Sequence, residues 1–180
     1  RLYRSWTPAF AGGRPVDLDD LKGRFREILL DAVAREVDTA SVGCFLSGGT
    51  DSSTVAGLLG RATGKPARTF SIGFDASGYD EMAYARIASE HFKTEHHEHY
   101  LTSEDLLRTI PDVAGYYDQP FGNSSALPAY HCARMARETG VTKLLAGDGG
   151  DELFGGNTRY AKQKLFAAYA CVPSALRSAL

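Results

Sequence analysis

Short apolar runs alternate with longer amphipathic stretches along most of this chain. Behind Asp17, residues Leu18, Leu21, Phe25, Ile28, Leu29, Ala32 and Val33 recur at helical spacing, which predicts a capped amphipathic helix. Residues 42–46 form a continuous apolar run of buried-strand length, and 54–63 carry a helical pattern behind it. A second short strand is predicted over 69–73. A helix over 80–92 would turn Met82, Ala85, Ala88 and Phe92 inward, and 95–101 reads as a third strand by position. Thr102-Ser103-Glu104-Asp105 is a capped helix start; Pro111 is expected to interrupt that helix and residues 116–120 to end it. A further helix over 124–139 stops at Gly140, a fourth strand follows over 142–146, and 157–180 reads as mostly helical. Strands alternating with helices predict an α/β fold, a doubly wound parallel sheet with helices on both faces. Residues 1–16, rich in aromatic residues, Pro and Gly, read as a linker or packed arm ahead of a domain over 17–180.

Composition narrows the class. With 180 residues, 43% hydrophobic and 23% charged, the chain is long enough for one sizeable core. A net charge of −2 leaves no basic footprint for nucleic acid, and no apolar run is long enough to span a bilayer, so neither partner is expected. Cys44, Cys132 and Cys171 are scattered and odd in number, which argues against a disulfide framework and for a cytoplasmic protein. A start at Arg1 rather than Met is expected of a fragment of a longer polypeptide.

Two glycine-rich stretches carry the candidate chemistry. The first, Ser47-Gly48-Gly49-Thr50-Asp51-Ser52-Ser53, joins the first predicted strand to a helix. Amides at such a turn lack intrahelical partners and lie at the positive end of the helix dipole, so they suit a phosphate. Gly48 and Gly49 admit close approach, and Ser47, Ser52 and Ser53 add hydroxyls. Asp51 would repel a polyphosphate unless a cation lay between them, and the loop lacks the lysine of a Walker A motif; this points to Mg²⁺. The plainer alternative is a tight turn with Asp51 as helix N-cap. The second stretch, residues 147–156, sets Asp148, Asp151 and Glu152 among five glycines at the same expected sheet edge, where Asp51 and Asp151 could share Mg²⁺. Its alternative is a solvated acidic turn. Neither loop has the Gly-x-Gly-x-x-Gly of a dinucleotide fold in the required place.

Other signals are weaker. On a strand only His97 and His99 of the trio with His96 share a face, and zinc would need further ligands, so no metal is expected there. Cys44 suits a small core role. The polar, aromatic stretch from Tyr116 to Ser125 fits an acceptor-pocket lining or ordinary helix-end packing.

The first loop resembles the pyrophosphate loop of the ATP pyrophosphatases. With Phe70-Ser71-Ile72-Gly73, Glu95-His96-His97-Glu98 and residues 147–156, the chain resembles the synthetase domain of glutamine-dependent asparagine synthetases over roughly 17–170. The resemblance implies an adenine-nucleotide α-hydrolase-like, PP-loop fold and ATP with Mg²⁺. It implies adenylation of the aspartate side-chain carboxylate with release of pyrophosphate, then attack by ammonia to give asparagine and AMP. By position, Phe45, Ile72, Ala146 and Gly147 would contact adenine through their backbones. Ser47, Gly48, Gly49, Ser52 and Ser53 would cradle pyrophosphate, Asp51 and Asp151 would hold Mg²⁺, and Asp148 would serve the aspartyl-AMP intermediate. Relatives carry a glutaminase domain that releases ammonia from glutamine, so this domain is expected as a partner within the same polypeptide and outside residues 1–180. The synthetase domain, with a catalytic lysine, is likewise expected to continue past Leu180, and a homodimer is compatible with the resemblance. Other readings left open are a PP-loop amidotransferase or β-lactam synthetase-like enzyme activating another carboxylate, and a nucleotide-binding module without catalysis.

Overall fold

The computed structural model describes residues 17–37, 41–75, 80–119, 122–156 and 158–172. The predicted arm over 1–16 lies outside them. Four strands, β1 (Val42–Phe45), β2 (Arg68–Phe74), β3 (Glu95–Leu101) and β4 (Lys143–Leu145), form one parallel sheet in the order β3-β2-β1-β4. The order reverses between β1 and β4, which makes the gap beyond their carboxyl ends the topological switch point where open α/β sheets hold ligands.

Helices cover both faces, as expected. On one side lie α1 (Leu18–Glu36), α2 (Thr50–Thr63) and α3 (Met82–Phe92), whose Val33, Leu59, Met82 and Ala85 close a core around Cys44 and Leu46. On the other, α5 (Ala126–Glu138) sets Cys132 and Ala136 against Phe70 and Val141, with Phe45 and Ile72 at the margin. Outside it packs α4 (Ser103–Ala114), opened by the capping box of Thr102 and Asp105 and joined to α5 by a 2.8 Å bond between Thr109 and His131. Two further helices, α6 (Gly150–Phe154) and α7 (Thr158–Ala170), end the described chain.

Several expectations need correction. Pro111 does not interrupt α4; the helix runs on to Ala114. A proline forfeits one helical hydrogen bond, and here the capped first turn and the burial of Thr109 and Val113 outweigh that loss. Helix α2 begins at Thr50, not Thr54, and its N-cap is Gly49, so Asp51 lies in the first turn instead of capping it. The second glycine-rich stretch is not all loop, since α6 lies within it. Of the apolar stripe of α1 only Val33 is buried; Leu18 and Ile28 are 65% and 56% exposed. Phe92 is only partly inward, its ring lying where a Cβ on Gly57 would be.

Candidate active site

Where β1 ends, β2 continues. Their register stops at Phe45 opposite Phe70, and one more bond runs from the Leu46 amide to the Phe70 carbonyl, while β2 extends to Phe74. Beyond this notch lies a cavity of about 480 Å³. Parallel strands point both backbone groups of a residue to one side and those of its neighbour to the other. Ile72 therefore faces the same way as Phe70, past the end of β1 and into the cavity that it lines.

The first glycine-rich loop ties itself together. The Gly49 amide donates to the Ser47 hydroxyl (3.3 Å), the Ser47 and Ser52 hydroxyls meet at 2.9 Å, and Ser52 Oγ donates back to the Gly49 carbonyl (3.3 Å). This ring fixes the loop, and the amides of Thr50, Asp51 and Ser52 precede the first intrahelical bond, from the Ser53 amide to the Gly49 carbonyl, the arrangement that suits an anion. Gly48 has φ +82°, and a Cβ there would come within 2.5 Å of the Ala85 amide. The loop is thus pressed onto the first turn of α3 and requires glycine on both counts.

The second loop closes on the first. A Cβ on Gly147 would lie 2.8 Å from Asp51 Cβ, and one on Gly150 2.5 Å from Asp51 Cγ. The turn after β4 therefore packs against Asp51 through bare backbone. Asp51 and Asp148 both line the cavity.

Of the residues expected from sequence, Phe45, Ser47, Asp51, Ser52, Ile72, Ala146, Gly147 and Asp148 line this cavity together. Gly48 and Gly49 shape the loop behind it. Ser53 is not on the wall; its hydroxyl is buried without a hydrogen-bond partner. Asp151 lies in the first turn of α6 and turns its carboxylate toward Gly156, also off the wall. On the opposite side, Ser125, the last residue of the stretch expected to line a pocket, and Pro128, Ala129 and Cys132 of α5, which sequence reasoning missed, face Phe70 and Ile72. Their i, i+3, i+4, i+7 spacing was the available signal. Sequence reasoning also missed Glu81, ahead of α3, and Ser71. Burial pushes the Cys132 thiol up to about 12, which makes it an inert part of the wall. Within 116–125, Tyr117, Asp118, Gln119, Asn123 and Ser124 line a second cavity of about 650 Å³ between α4 and α5, apart from the first.

Against known proteins, the family model described as asparagine synthase matches residues 24–179. The chain belongs to the asparagine synthase family. A Methanocaldococcus jannaschii protein, named as an inferred glutamine-hydrolysing asparagine synthetase, is 46% identical over 133 residues, covering 73% of this chain and 25% of its own length. Asparagine synthetase [glutamine-hydrolyzing] 1 of Bacillus subtilis is 30% identical over 173 residues, covering 94% and 27%. The chain thus spans about a quarter of the length of these relatives. Among solved structures, the NMN synthetase of Francisella tularensis superposes with a TM-score of 0.50 at 17% identity, over 67% of this chain and 52% of that one. That likeness concerns the fold, and it agrees with the PP-loop architecture expected for a member of the asparagine synthase family.

The donor set suits magnesium better than a metal caged by protein. Among the described residues no three His, Cys, Asp or Glu side chains gather as a metal site. Mg²⁺ is commonly held by one or two carboxylates together with substrate phosphates and water. Asp51, close to the open amides of α2 and without a cationic partner among the described residues, fits that pattern.

Proposed function

We propose that this chain forms the nucleotide-binding part of an ATP-dependent amide-forming ligase that converts aspartate to asparagine. The observation that carries the reading is the convergence of the Asp51 loop and the 147–150 loop at the switch point of a parallel sheet. The adenine would lie in the notch beyond β1, against Phe45 and Ile72 and beside Ala146 and Gly147. The triphosphate would run over the amides of α2, with the hydroxyls of Ser47 and Ser52 along the loop; Ser53, expected there from sequence, would have to turn its buried hydroxyl outward to join them. Mg²⁺, held by Asp51 and Asp151, would when bound neutralise the pyrophosphate leaving group.

In this reading an aspartate carboxylate oxygen attacks the α-phosphorus and the bond to the bridging oxygen breaks, releasing pyrophosphate. Ammonia then attacks the acyl carbon of aspartyl-AMP; it loses a proton, and AMP departs. Asp148, on the cavity wall, is the side chain assigned to that intermediate. The protein supplies oriented dipoles and charge rather than a covalent nucleophile. Ammonia would come from glutamine, in keeping with the glutamine-hydrolysing activity in the names of the relatives; the reading assigns that step to a glutaminase domain of the same polypeptide, in the cytoplasm.

Isotope exchange between pyrophosphate and ATP in the full chain tests this. Exchange is expected to require both Mg²⁺ and aspartate. Exchange driven by another carboxylate and not by aspartate would transfer the reading to a different acceptor, and absence of nucleotide binding would remove it.

A further inference from the structure

We infer that Ser71 is a positioning residue that keeps the backbone of Ile72 free to read the edge of a nucleobase; this rests on the nucleotide reading above. Ser71 is 4% exposed, yet its hydroxyl is not idle. It donates to the carbonyl of Leu46, the residue just before the glycine-rich loop and itself buried. In an uninterrupted parallel ladder that carbonyl would accept the amide of Ile72, because the Leu46 amide already donates to Phe70, two residues earlier on β2. The side chain of Ser71 thus stands in for one rung of the sheet. A buried carbonyl is satisfied without using the Ile72 amide, so the ladder stops where the cavity starts.

Serine is suited to this place. Its side chain is short enough to reach a carbonyl on the neighbouring strand, and its single proton is committed there. Alanine would leave the Leu46 carbonyl buried and unpaired. The nearest replacement donor is the Ile72 amide, and recruiting it would extend β1 pairing by one step and close the notch. Ile72 would then lose the donor that faces the cavity, while the pyrophosphate loop and Asp51 would keep their own bonds.

Two measurements on the full chain test this with Ser71→Ala and Ser71→Thr. In hydrogen exchange without ligand, the Ile72 amide should exchange readily in the native protein and in Ser71→Thr, and become protected in Ser71→Ala. In calorimetric titrations, the native protein should prefer AMP to inosine monophosphate, which differ at the edge that Ile72 would read. Ser71→Ala should reduce that preference by about tenfold, the worth of one hydrogen bond. Its affinity for Mg²⁺-pyrophosphate should be unchanged. An Ile72 amide equally protected in all three proteins would overturn the role of Ser71, as would an unchanged AMP preference or a parallel loss of pyrophosphate binding. A native protein that binds neither nucleotide while Ile72 exchanges as expected would instead sink the nucleotide reading.

Discussion

The carboxylate of Asp51 rests against the backbone of Gly150, although 99 positions separate them; the two turns leave the carboxyl ends of the paired strands β1 and β4. Any side chain at Gly150 would enter the space held by that carboxylate. Gly150→Ala should therefore displace Asp51 or the turn after β4, at a cost of about 1–3 kcal/mol if the structure absorbs it as overpacking. Circular dichroism should show the fold retained, and calorimetry should show ATP binding weakened. Binding of native strength would mean that the two loops need not touch.

Removing charge while keeping shape separates a metal role from a packing role. Asp51→Asn and Asp151→Asn should each raise the Mg²⁺ concentration needed for half-maximal ATP binding by more than about tenfold, since changing even outer-sphere partners of a metal costs that much. Magnesium titrations at fixed ATP measure it. Because Asp151 turns toward Gly156 and lies off the cavity wall, its variant is the sharper test: an unaltered titration would confine the metal to Asp51.

One buried and one half-buried imidazole, those of His131 and His96, give stability a pH dependence. The Thr109 hydroxyl donates to the Asp105 carbonyl (2.7 Å), so its 2.8 Å contact with His131 requires Nε2 to carry the proton, and Nδ1 is left buried without a partner. Burial, then Arg134 and His99, hold His131 below its ordinary value, against the pull of Asp105. Burial also lowers His96; His97 and Arg86 add to this, while Glu98 and Thr69 oppose it. Both rings are thus kept neutral in the fold, and the unfolded chain takes up these protons first. Their contribution to stability is complete above about pH 6.5 and falls as pH drops from there toward the lower folded values. Denaturant titrations at pH 7.5 and 5.5 should show this loss, and His131→Gln should reduce it. An equal loss in the variant would exclude His131 as a source.

Much of this architecture is legible in the sequence because parallel strands buried on both faces must be short and apolar. Residues 42–46 and 69–73 announce themselves that way, and the Thr102–Asp105 box marks the start of α4 to the residue. The start of α2 was hidden because its cap, Gly49, has no side chain with which to signal. Periodicity found the apolar stripe of α1 but could not reveal that most of it stays uncovered, since that depends on what packs there. The candidate site divides in the same way. Its glycines, serines and aspartates read locally as a phosphate cradle. The wall formed by Ser125, Pro128 and Cys132 exists only because α5 folds back across β2, and the part played by Ser71 depends on β1 ending four residues before its neighbour does.

The bare backbone of Gly48 against Tyr84 and Ala85 joins the loop to α3 as one mechanical unit. That helix runs from beside the cavity to the turn that begins the edge strand β3. A push on the loop is therefore received by a rigid rod rather than by pliable side chains. The far margin of the sheet lies within reach of events at its centre.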